Sequence, residues 1–122
     1  MSTWDDRTLI EDLLARSVDD WVSAAEVLDL TKRSGASEPE ARRALAVGLI
    51  AEVLVRELMV PGEYDGTGHR RWECSTPEAI ARIAEDWFAR LDPLVMPGEV
   101  VWLDATSEGR ALGQAVLRRE QA

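Results

Sequence analysis

The sequence predicts an α+β domain that is mainly helical, and three observations lead to this class. Apolar residues recur at helical spacing in several segments, which is typical of amphipathic helices. A glycine-rich turn at residues 65–68 separates two short segments of strand-forming residues, as in a β-hairpin. The length of 122 residues is the common size of one domain with one core. We therefore expect a single domain over residues 1–122.

The first helix is expected over about residues 4–17. Four apolar side chains recur at helical spacing and form its inner face: Leu9, Ile10, Leu13 and Leu14. Charged side chains cover the other side: Asp5, Asp6, Arg7, Glu11 and Asp12. The acidic start suits the positive end of the helix dipole. This pattern predicts a surface helix with its acidic side in solvent.

A short strand and a second helix are expected next. Trp21 and Val22 are predicted to form a short edge strand. Ser23, with a glutamate three residues later, forms a capping box that starts a helix over about residues 24–33. Gly35 is expected to end this helix in the left-handed conformation.

The third helix is the longest and is expected over about residues 38–58. Ser37 and Glu40 form a second capping box around Pro39, which lies in the first turn, where a missing N–H costs little. Apolar residues cover nearly the whole circumference of its middle, so this helix is predicted to be central and buried on several sides. Its predicted core residues are Leu45, Leu49, Ile50, Val53 and Leu54.

A β-hairpin is predicted after the third helix. Its first strand begins at Met59, and Pro61 indicates that this strand is short or lies at an edge, because proline cannot donate a ladder hydrogen bond. The second strand is expected over residues 69–74. Trp72 and Cys74 alternate there with charged residues, so both are predicted to face the interior.

The C-terminal part is predicted as helix, strand and helix. The fourth helix starts at residue 75 or 76 and ends before Pro93. Its apolar face consists of Ile80, Ile83, Ala84, Trp87, Phe88 and Leu91. A strand is expected over residues 100–103, and a last helix is capped at residue 106 or 107 and ends near Arg119.

The order of these elements resembles the winged-helix superfamily: helix, short strand, helix, turn, long helix and hairpin. The segments SAAEVL at 23–28 and SEPEARRAL at 37–45 resemble the helix-turn-helix core of that superfamily. The resemblance covers about residues 3–74 and leaves residues 75–122 as a helix-strand-helix extension. It implies that the turn, the start of the third helix and the wing face DNA. Six cations belong to these elements: Lys32, Arg33, Arg42, Arg43, Arg70 and Arg71.

Composition and charge favour other partners. The net charge of −9 creates a negative field that repels polyanions and attracts cationic surfaces. No apolar run approaches the roughly 20 residues that span a bilayer, and the N-terminus is acidic, so we expect neither a membrane protein nor a secreted one. A single cysteine, Cys74, is consistent with a reducing compartment. The sequence therefore predicts a cytoplasmic protein, and its arginine-rich, lysine-poor composition suggests bacterial origin.

The residues give little sign of catalysis. His69 is the only histidine and is expected to be exposed in the hairpin, and Cys74 has no base that the sequence places beside it. The carboxylates fall on a polar helix face, where solvated charge is the usual explanation, and the glycines lack the spacing of a phosphate-binding loop. We therefore expect no enzyme, no cofactor and no metal. Of the five tryptophans, Trp87 is predicted to lie in the core and Trp4 or Trp21 at an interface.

Two functions remain open. The first is a non-enzymatic protein-binding domain, such as an immunity protein or antitoxin-like inhibitor whose acidic surface masks a cationic, nuclease-like toxin. Its predicted contact residues are Asp5, Asp6, Asp19, Asp20 and Trp21. The alternative is a winged-helix transcriptional regulator that binds DNA through the six cations and dimerises through residues 76–119. A third interpretation of the six cations is that they are scattered on a solvated surface and paired with neighbouring acids.

Overall fold

The computed structural model describes residues 6–121 and confirms an α+β fold that is mainly helical. The helices in this part of the chain are α1 (Leu9–Arg16), α2 (Ala24–Leu30), α3 (Pro39–Val55), α4 (Thr76–Phe88) and α5 (Ser107–Gln121). The strands are β1 (Val22–Ser23), β2 (Met59–Tyr64), β3 (His69–Arg71) and β4 (Trp102–Ala105). A short 3₁₀ turn, Thr31–Ser34, continues α2 and ends at Gly35, which is left-handed as predicted.

The four strands form one antiparallel sheet in the order β1-β4-β2-β3. β4 comes from the predicted C-terminal extension, yet it lies between β1 and the hairpin. The extension therefore supplies a central strand of the sheet and is not an addition at its edge. The hairpin itself is confirmed, with its turn at residues 65–68.

The prediction that Pro61 marks a short or edge strand is wrong, because β2 has six residues and lies inside the sheet. The carbonyl of Pro61 accepts the N–H of Trp72 at 3.0 Å, so the nitrogen of Pro61 also faces the β3 side. β3 ends at Arg71, one residue before that point. The missing donor therefore falls where the β2–β3 ladder has already stopped.

One face of the sheet packs against the helices and forms the core. α3 is the central helix, as predicted, with Leu49, Ile50, Val53 and Leu54 buried and Leu45 partly buried. The strands contribute Val22, Met59 and Leu103, all less than 2% exposed. The largest buried side chain is Trp87 of α4, which is fully buried, as its helical spacing predicted.

Local helix starts differ from the predictions in two places. α1 begins at Leu9, and Thr8 and Glu11 form its capping box, which was not predicted. The earlier start predicted at Trp4 lies outside the described residues. The capping box predicted at Ser37 is wrong, because Glu38 is the N-cap of α3 and makes no side-chain capping bond. The starts of α2 and α4, with Ser23 and Ser75 as N-caps, were predicted correctly in position. The capping box predicted at Ser23 is incomplete, because its hydroxyl accepts the N–H of Glu26 at 3.2 Å but the reciprocal bond from the N–H of Ser23 to the Glu26 carboxylate is absent among the described residues.

Other predictions fail because the elements end earlier than the pattern suggested. β3 stops at Arg71, so Cys74 lies beyond the strand and is exposed instead of buried. α4 ends at Phe88, and the predicted apolar face continues into exposed positions: Phe88 is 47% exposed and Leu91 is fully exposed.

α5 packs closely on α1 and on Leu58, in the segment between α3 and β2, and two glycines make this possible. A Cβ at Gly113 would collide with the carbonyl oxygen of Leu14 and the side chain of Val18. A Cβ at Gly109 would collide with the carbonyl of Leu58. Because the colliding atoms are mostly backbone, they cannot rotate away.

This packing predicts that the same substitution has opposite effects in two helices. Gly113→Ala should lower the free energy of unfolding by about 1–3 kcal/mol through overpacking. Gly48→Ala should raise it by up to about 1 kcal/mol, since Gly48 is exposed in α3, has no atom within 4 Å of the position that a Cβ would take, and gains helix propensity. Urea denaturation of both variants measures the difference. Equal shifts in the two midpoints would contradict the close α1–α5 contact.

Candidate functional site

The outer face of the sheet carries an aromatic cluster. β4 alternates, with Leu103 and Ala105 buried and Trp102 directed to the other face. The register places Gly62 of β2 beside Trp102, and Tyr64 opposite His69. Side chains alternate between the two faces along a strand, and directly paired residues lie on the same face. Trp102, Tyr64 and His69 therefore share one face of the sheet, which is the face away from the core.

Trp21 lies at the centre of this cluster. It precedes β1, and its ring centroid lies 6.2 Å from that of Tyr64, 5.6 Å from His69 and 6.1 Å from Trp102. The ring planes are inclined to Trp21 by 43°, 56° and 65° respectively. Tilted contacts at these distances are favourable for aromatic pairs. Trp21, Tyr64, His69 and Trp102 are called the aromatic cluster below.

His69 is held inside the cluster and is not the exposed turn histidine that the sequence predicted. Its Nε2 lies 3.0 Å from the carbonyl oxygen of Trp102, and its side chain is partly buried. Because a carbonyl can only accept, Nε2 carries the proton and donates. The ring lies over Gly62, where a Cβ would collide with it and with the carbonyl of Arg70. The absence of a side chain at Gly62 therefore makes room for His69.

Two carboxylates flank the cluster along the chain, since Asp20 directly precedes Trp21 and Asp65 directly follows Tyr64. Asp20 Oδ1 accepts the backbone N–H of Trp21 at 2.8 Å. In the hairpin turn, Asp65 Oδ1 accepts the N–H and hydroxyl of Thr67, at 2.8 and 2.7 Å, and the N–H of Gly68 at 3.0 Å. These bonds, first of all that from the Thr67 hydroxyl, lower the pKa of Asp65 to about 2. Asp65 therefore stays ionised throughout the neutral range.

The structure brings together part of the predicted protein-binding set. Asp19 and Asp20 are exposed at the corner before β1, next to the partly buried Trp21. Asp6 is also exposed, but it lies close to Arg119 of α5 and away from this corner. Asp5 lies outside the described residues. The set that shares one surface is therefore Asp19, Asp20 and Trp21.

Sequence reasoning missed Tyr64, His69, Trp102 and Asp65 as members of this surface. They lie on three strands and a turn, and only the register of the sheet shows that they are neighbours of Trp21. The alternation of Trp102 with buried residues in β4 was the one available signal. This alternation was not recognised because the strand was predicted over residues 100–103, two residues before its position in the structure.

Three of the six predicted DNA-facing cations are used inside the protein. Arg33 Nη1 pairs with the buried Asp12 at 3.0 Å. Arg42 donates to the hydroxyl of Thr31 at 3.3 Å and to the carbonyl of Leu28 at 3.2 Å. These two side chains join α1, the 3₁₀ turn and α3.

Arg43 is the third of these cations and is only 7% exposed. Its Nη1 donates to the carbonyls of Trp87 at 3.1 Å and Arg90 at 2.9 Å, at the C-terminal end of α4. Its guanidinium also lies 5.2 Å from the centroid of Phe88. Arg43 therefore caps a helix in the interior.

The remaining cations are on the surface. Lys32 pairs with Asp29 at 2.9 Å, and both side chains are more than half exposed. Arg70 and Arg71 of β3 are exposed and make no hydrogen bond or ion pair through their side chains within residues 6–121. Of the six predicted cations, these two hairpin arginines are thus the ones most open to a ligand.

The chemistry of the described residues is limited. They contain no group of three or more histidine, cysteine, aspartate or glutamate side chains placed to hold a metal ion. A cavity of about 420 Å³ opens between β2 and the N-termini of α4 and α5, lined by Arg71, Trp72 and Cys74 together with Glu57 and Glu108. His69 does not line it, so the cavity contains a thiol without an imidazole base.

No helix within residues 6–121 has both the length and the apolar character needed to traverse a bilayer. Comparison of the chain with protein-family models, with curated proteins and with solved structures finds no match.

Proposed function

We propose that this protein is a non-enzymatic protein-binding domain that holds a basic partner on the outer face of its sheet. The observation that carries the proposal is the aromatic cluster with the carboxylates of Asp20 and Asp65 next to its residues in the chain. Tryptophan and tyrosine are enriched among the residues that dominate binding energy, and they cluster at the centres of interfaces. A half-exposed cluster of two tryptophans, a tyrosine and a histidine is the strongest such feature in the described chain.

Charge determines the class of partner. The net charge of −9 provides long-range attraction for a cationic protein, and Asp19, Asp20 and Asp65 place negative charge at the cluster itself. Such complementarity accelerates association and disfavours acidic competitors. A domain with these properties suits an inhibitor that covers the cationic surface of a nuclease-like toxin, as an immunity protein or antitoxin does.

The alternative function, DNA binding, has less support from the surface. Arg33, Arg42 and Arg43 are engaged in internal bonds, so the exposed and unpaired cations of the predicted set within the described chain are Arg70 and Arg71. Specific DNA binding by several phosphate contacts needs more cations than two to overcome a strongly negative protein. Arg70 and Arg71 are the residues on which this alternative depends.

The main test changes charge at the corner of the proposed surface. Asp19→Asn combined with Asp20→Asn should slow association with the basic partner by roughly threefold to tenfold at low salt, because these charges steer the encounter. The asparagine at position 20 keeps an oxygen that can accept the N–H of Trp21. The fold should be preserved, since exposed charges contribute little to stability. The partner is first isolated from extract of the cells that make the protein, and its association rate is then measured by stopped-flow fluorescence.

A matched control removes the same charge elsewhere. Glu40→Gln combined with Glu85→Gln changes two exposed acids on α3 and α4, which lie on the helical side of the sheet. This control should slow association much less than the change at Asp19 and Asp20. Equal slowing by both pairs would mean that net charge alone governs binding and that the outer face is not the contact surface.

A DNA titration tests the alternative. Under the present proposal, a fluorescent duplex of about 20 base pairs should show no binding between roughly 50 and 200 mM salt, and Arg70→Gln with Arg71→Gln should change nothing. Tight, salt-dependent binding that this double variant abolishes would overturn the proposal and support a DNA-binding protein.

A further inference from the structure

We propose that the aromatic cluster receives an arginine side chain of the basic partner, stacked on Trp21 and Tyr64 and hydrogen-bonded to the flanking carboxylates. This inference rests on the proposed function and specifies the group that is recognised. Four observations lead to it: the stacking of arginine on aromatic rings elsewhere in the described chain, the absence of a described cation stacked on the rings of the cluster, the free carboxylate oxygens and the exposure of the rings.

Within residues 6–121, arginine is already stacked on an aromatic ring at two places. The guanidinium carbon of Arg82 lies 3.8 Å from the ring centroid of Trp72, and that of Arg43 lies 5.2 Å from Phe88. Both distances fall within the range of about 6 Å in which a cation is attracted to a ring face. In both pairs a guanidinium group lies over the aromatic ring.

The cluster has no such cation among residues 6–121. No described guanidinium or ammonium group stacks on Trp21, Tyr64 or Trp102. Arg110 of α5 is directed to Asp104 of β4, with 3.7 Å between Nη2 and Oδ1. The rings of Trp21, Tyr64 and Trp102 therefore lack the stacked arginine that Trp72 and Phe88 have.

The two flanking carboxylates each keep one oxygen open. Asp20 uses Oδ1 for the N–H of Trp21, and Asp65 uses Oδ1 for all three of its bonds to Thr67 and Gly68. Neither Oδ2 has a hydrogen-bond partner within the described chain. Each carboxylate is thus fixed in direction by the backbone while one oxygen faces solvent, which is the arrangement that a guanidinium donor can use.

Exposure and tilt make the rings accessible. Tyr64 is 59% exposed, and its hydroxyl is turned away to the carbonyl of Gly66 at 3.0 Å, so its ring face and not its polar end is presented. The planes of Trp21 and Tyr64 are inclined by 43°, which leaves a wedge between them and not a closed stack. A planar group fits such a wedge better than a bulky aliphatic one.

The geometry favours arginine over lysine. A guanidinium is planar and can lie on a ring while its edge N–H groups donate to a neighbouring carboxylate, whereas an ammonium is a strongly hydrated point charge. Arg71 is the one cation of β3 whose register places it on this same outer face, opposite Gly62. Its charge opposes an incoming arginine, so Arg71→Gln should tighten binding by about twofold to threefold.

The test uses the full chain labelled with ¹⁵N and a blocked pentapeptide that contains two arginines. The counterpart peptides replace arginine with lysine or with citrulline, which has nearly the same shape and no charge. The indole N–H signals of the tryptophans report separately. We expect the arginine peptide to shift the signals of Trp21 and Trp102, with an affinity about fivefold or more above that of the citrulline peptide and above that of the lysine peptide.

Two tryptophans are internal controls. Trp72 is covered by Arg82, and Trp87 is fully buried, so neither signal should move. Trp21→Phe should retain most of the affinity for the arginine peptide, whereas Trp21→Leu should lose it. An unchanged Trp87 signal in both variants shows that the fold is intact.

Several results would overturn the inference. Citrulline and arginine peptides that bind equally, or shifts confined to signals outside Trp21 and Trp102, would show that the cluster does not recognise a guanidinium. Absence of any shift would have the same meaning. If the isolated basic partner still depends on Asp19 and Asp20 in that case, the proposed function stands and only the arginine assignment fails; if that dependence is also absent, both fail.

Discussion

Replacing Asp12 with alanine is expected to lower the free energy of unfolding by about 3–5 kcal/mol. Asp12 is 1% exposed, and its carboxylate lies 3.0 Å from Arg7 Nη1, 3.2 Å from Arg16 Nε and 3.0 Å from Arg33 Nη1. Removing it would leave three guanidinium groups close together without their common acceptor. The loss of a partner from a buried charge network is among the most destabilising single changes.

The position of Asp12 increases this effect. Arg7 also pairs with Glu120 of α5, with Nε 2.6 Å from Oε2, and Arg33 Nη2 donates to the carbonyl of Arg7 at 2.8 Å. The network therefore connects the segment before α1, the 3₁₀ turn after α2 and the C-terminal helix. We expect the variant to lose order at both ends of the chain, which hydrogen exchange can localise.

The pH dependence has a definite sign. Burial raises the pKa of Asp12, but the hydrogen bonds from Arg16, Arg7 and Arg33 and the charge of Arg16 outweigh it and hold the pKa below the ordinary value. A carboxyl with a lowered pKa stabilises the fold above its unfolded value of about 3.9, and this contribution is lost as pH falls through the folded value. The stability difference between the wild type and Asp12→Asn should therefore be largest near neutrality and shrink in acid below about pH 4.

A surface aspartate provides the matched control. Asp29 of α2 pairs with Lys32 at 2.9 Å, and both side chains are more than half exposed. Asp29→Ala should change the free energy of unfolding by less than about 1 kcal/mol. Chemical denaturation of the two alanine variants gives the comparison. A cost at Asp12 as small as that at Asp29 would show that the buried network contributes little.

Local patterns predicted most of the helices and the hairpin. The amphipathic spacing of α4, its start at Ser75 and the central position of α3 follow from interactions within about four residues, which the sequence displays directly. The left-handed Gly35 likewise depends on local backbone sterics. Features of this kind need no knowledge of distant parts of the chain.

The buried charges could not be predicted in the same way. Asp12 lies on the charged side of α1, which the pattern assigned to solvent, but the 3₁₀ turn and α5 cover that side. Its spacing of four residues from Arg16 was visible, whereas Arg33 is far along the chain. Arg43 was assigned to a DNA-facing surface because sequence does not show that α4 ends against it.

The aromatic cluster depends on strand order and register. Trp21 and Trp102 become neighbours only because β4 inserts between β1 and β2, and a shift of one residue would direct Trp102 into the core. The resemblance to a winged helix treated residues 75–122 as an extension and so gave no reason to place β4 at the centre. Part of the candidate surface was thus predicted from acidity and Trp21, while the part formed by long-range pairing was not.

Trp87→Ala is expected to cost about 3–5 kcal/mol, a large share of the roughly 5–15 kcal/mol that stabilises a domain of this size. Trp87 is fully buried, and its Nε1 donates to the carbonyl of Pro93 at 2.9 Å. The carbonyl of Trp87 accepts from Arg43 at 3.1 Å. Truncation would therefore leave a large cavity between α3 and α4 and remove the bond that holds the loop after α4.

Two further variants separate these contributions. Trp87→Phe keeps most of the apolar volume but loses the donor to Pro93, so it should cost less than the alanine variant, about 1–3 kcal/mol. Phe88→Ala changes the neighbouring residue, which is 47% exposed and stacks on Arg43, and should cost less than about 1.5 kcal/mol. Guanidinium denaturation curves of the three variants measure this order. A midpoint for Trp87→Ala that matches the wild type would mean that Trp87 does not fill the core, because no other mechanism compensates the loss of so large a buried side chain.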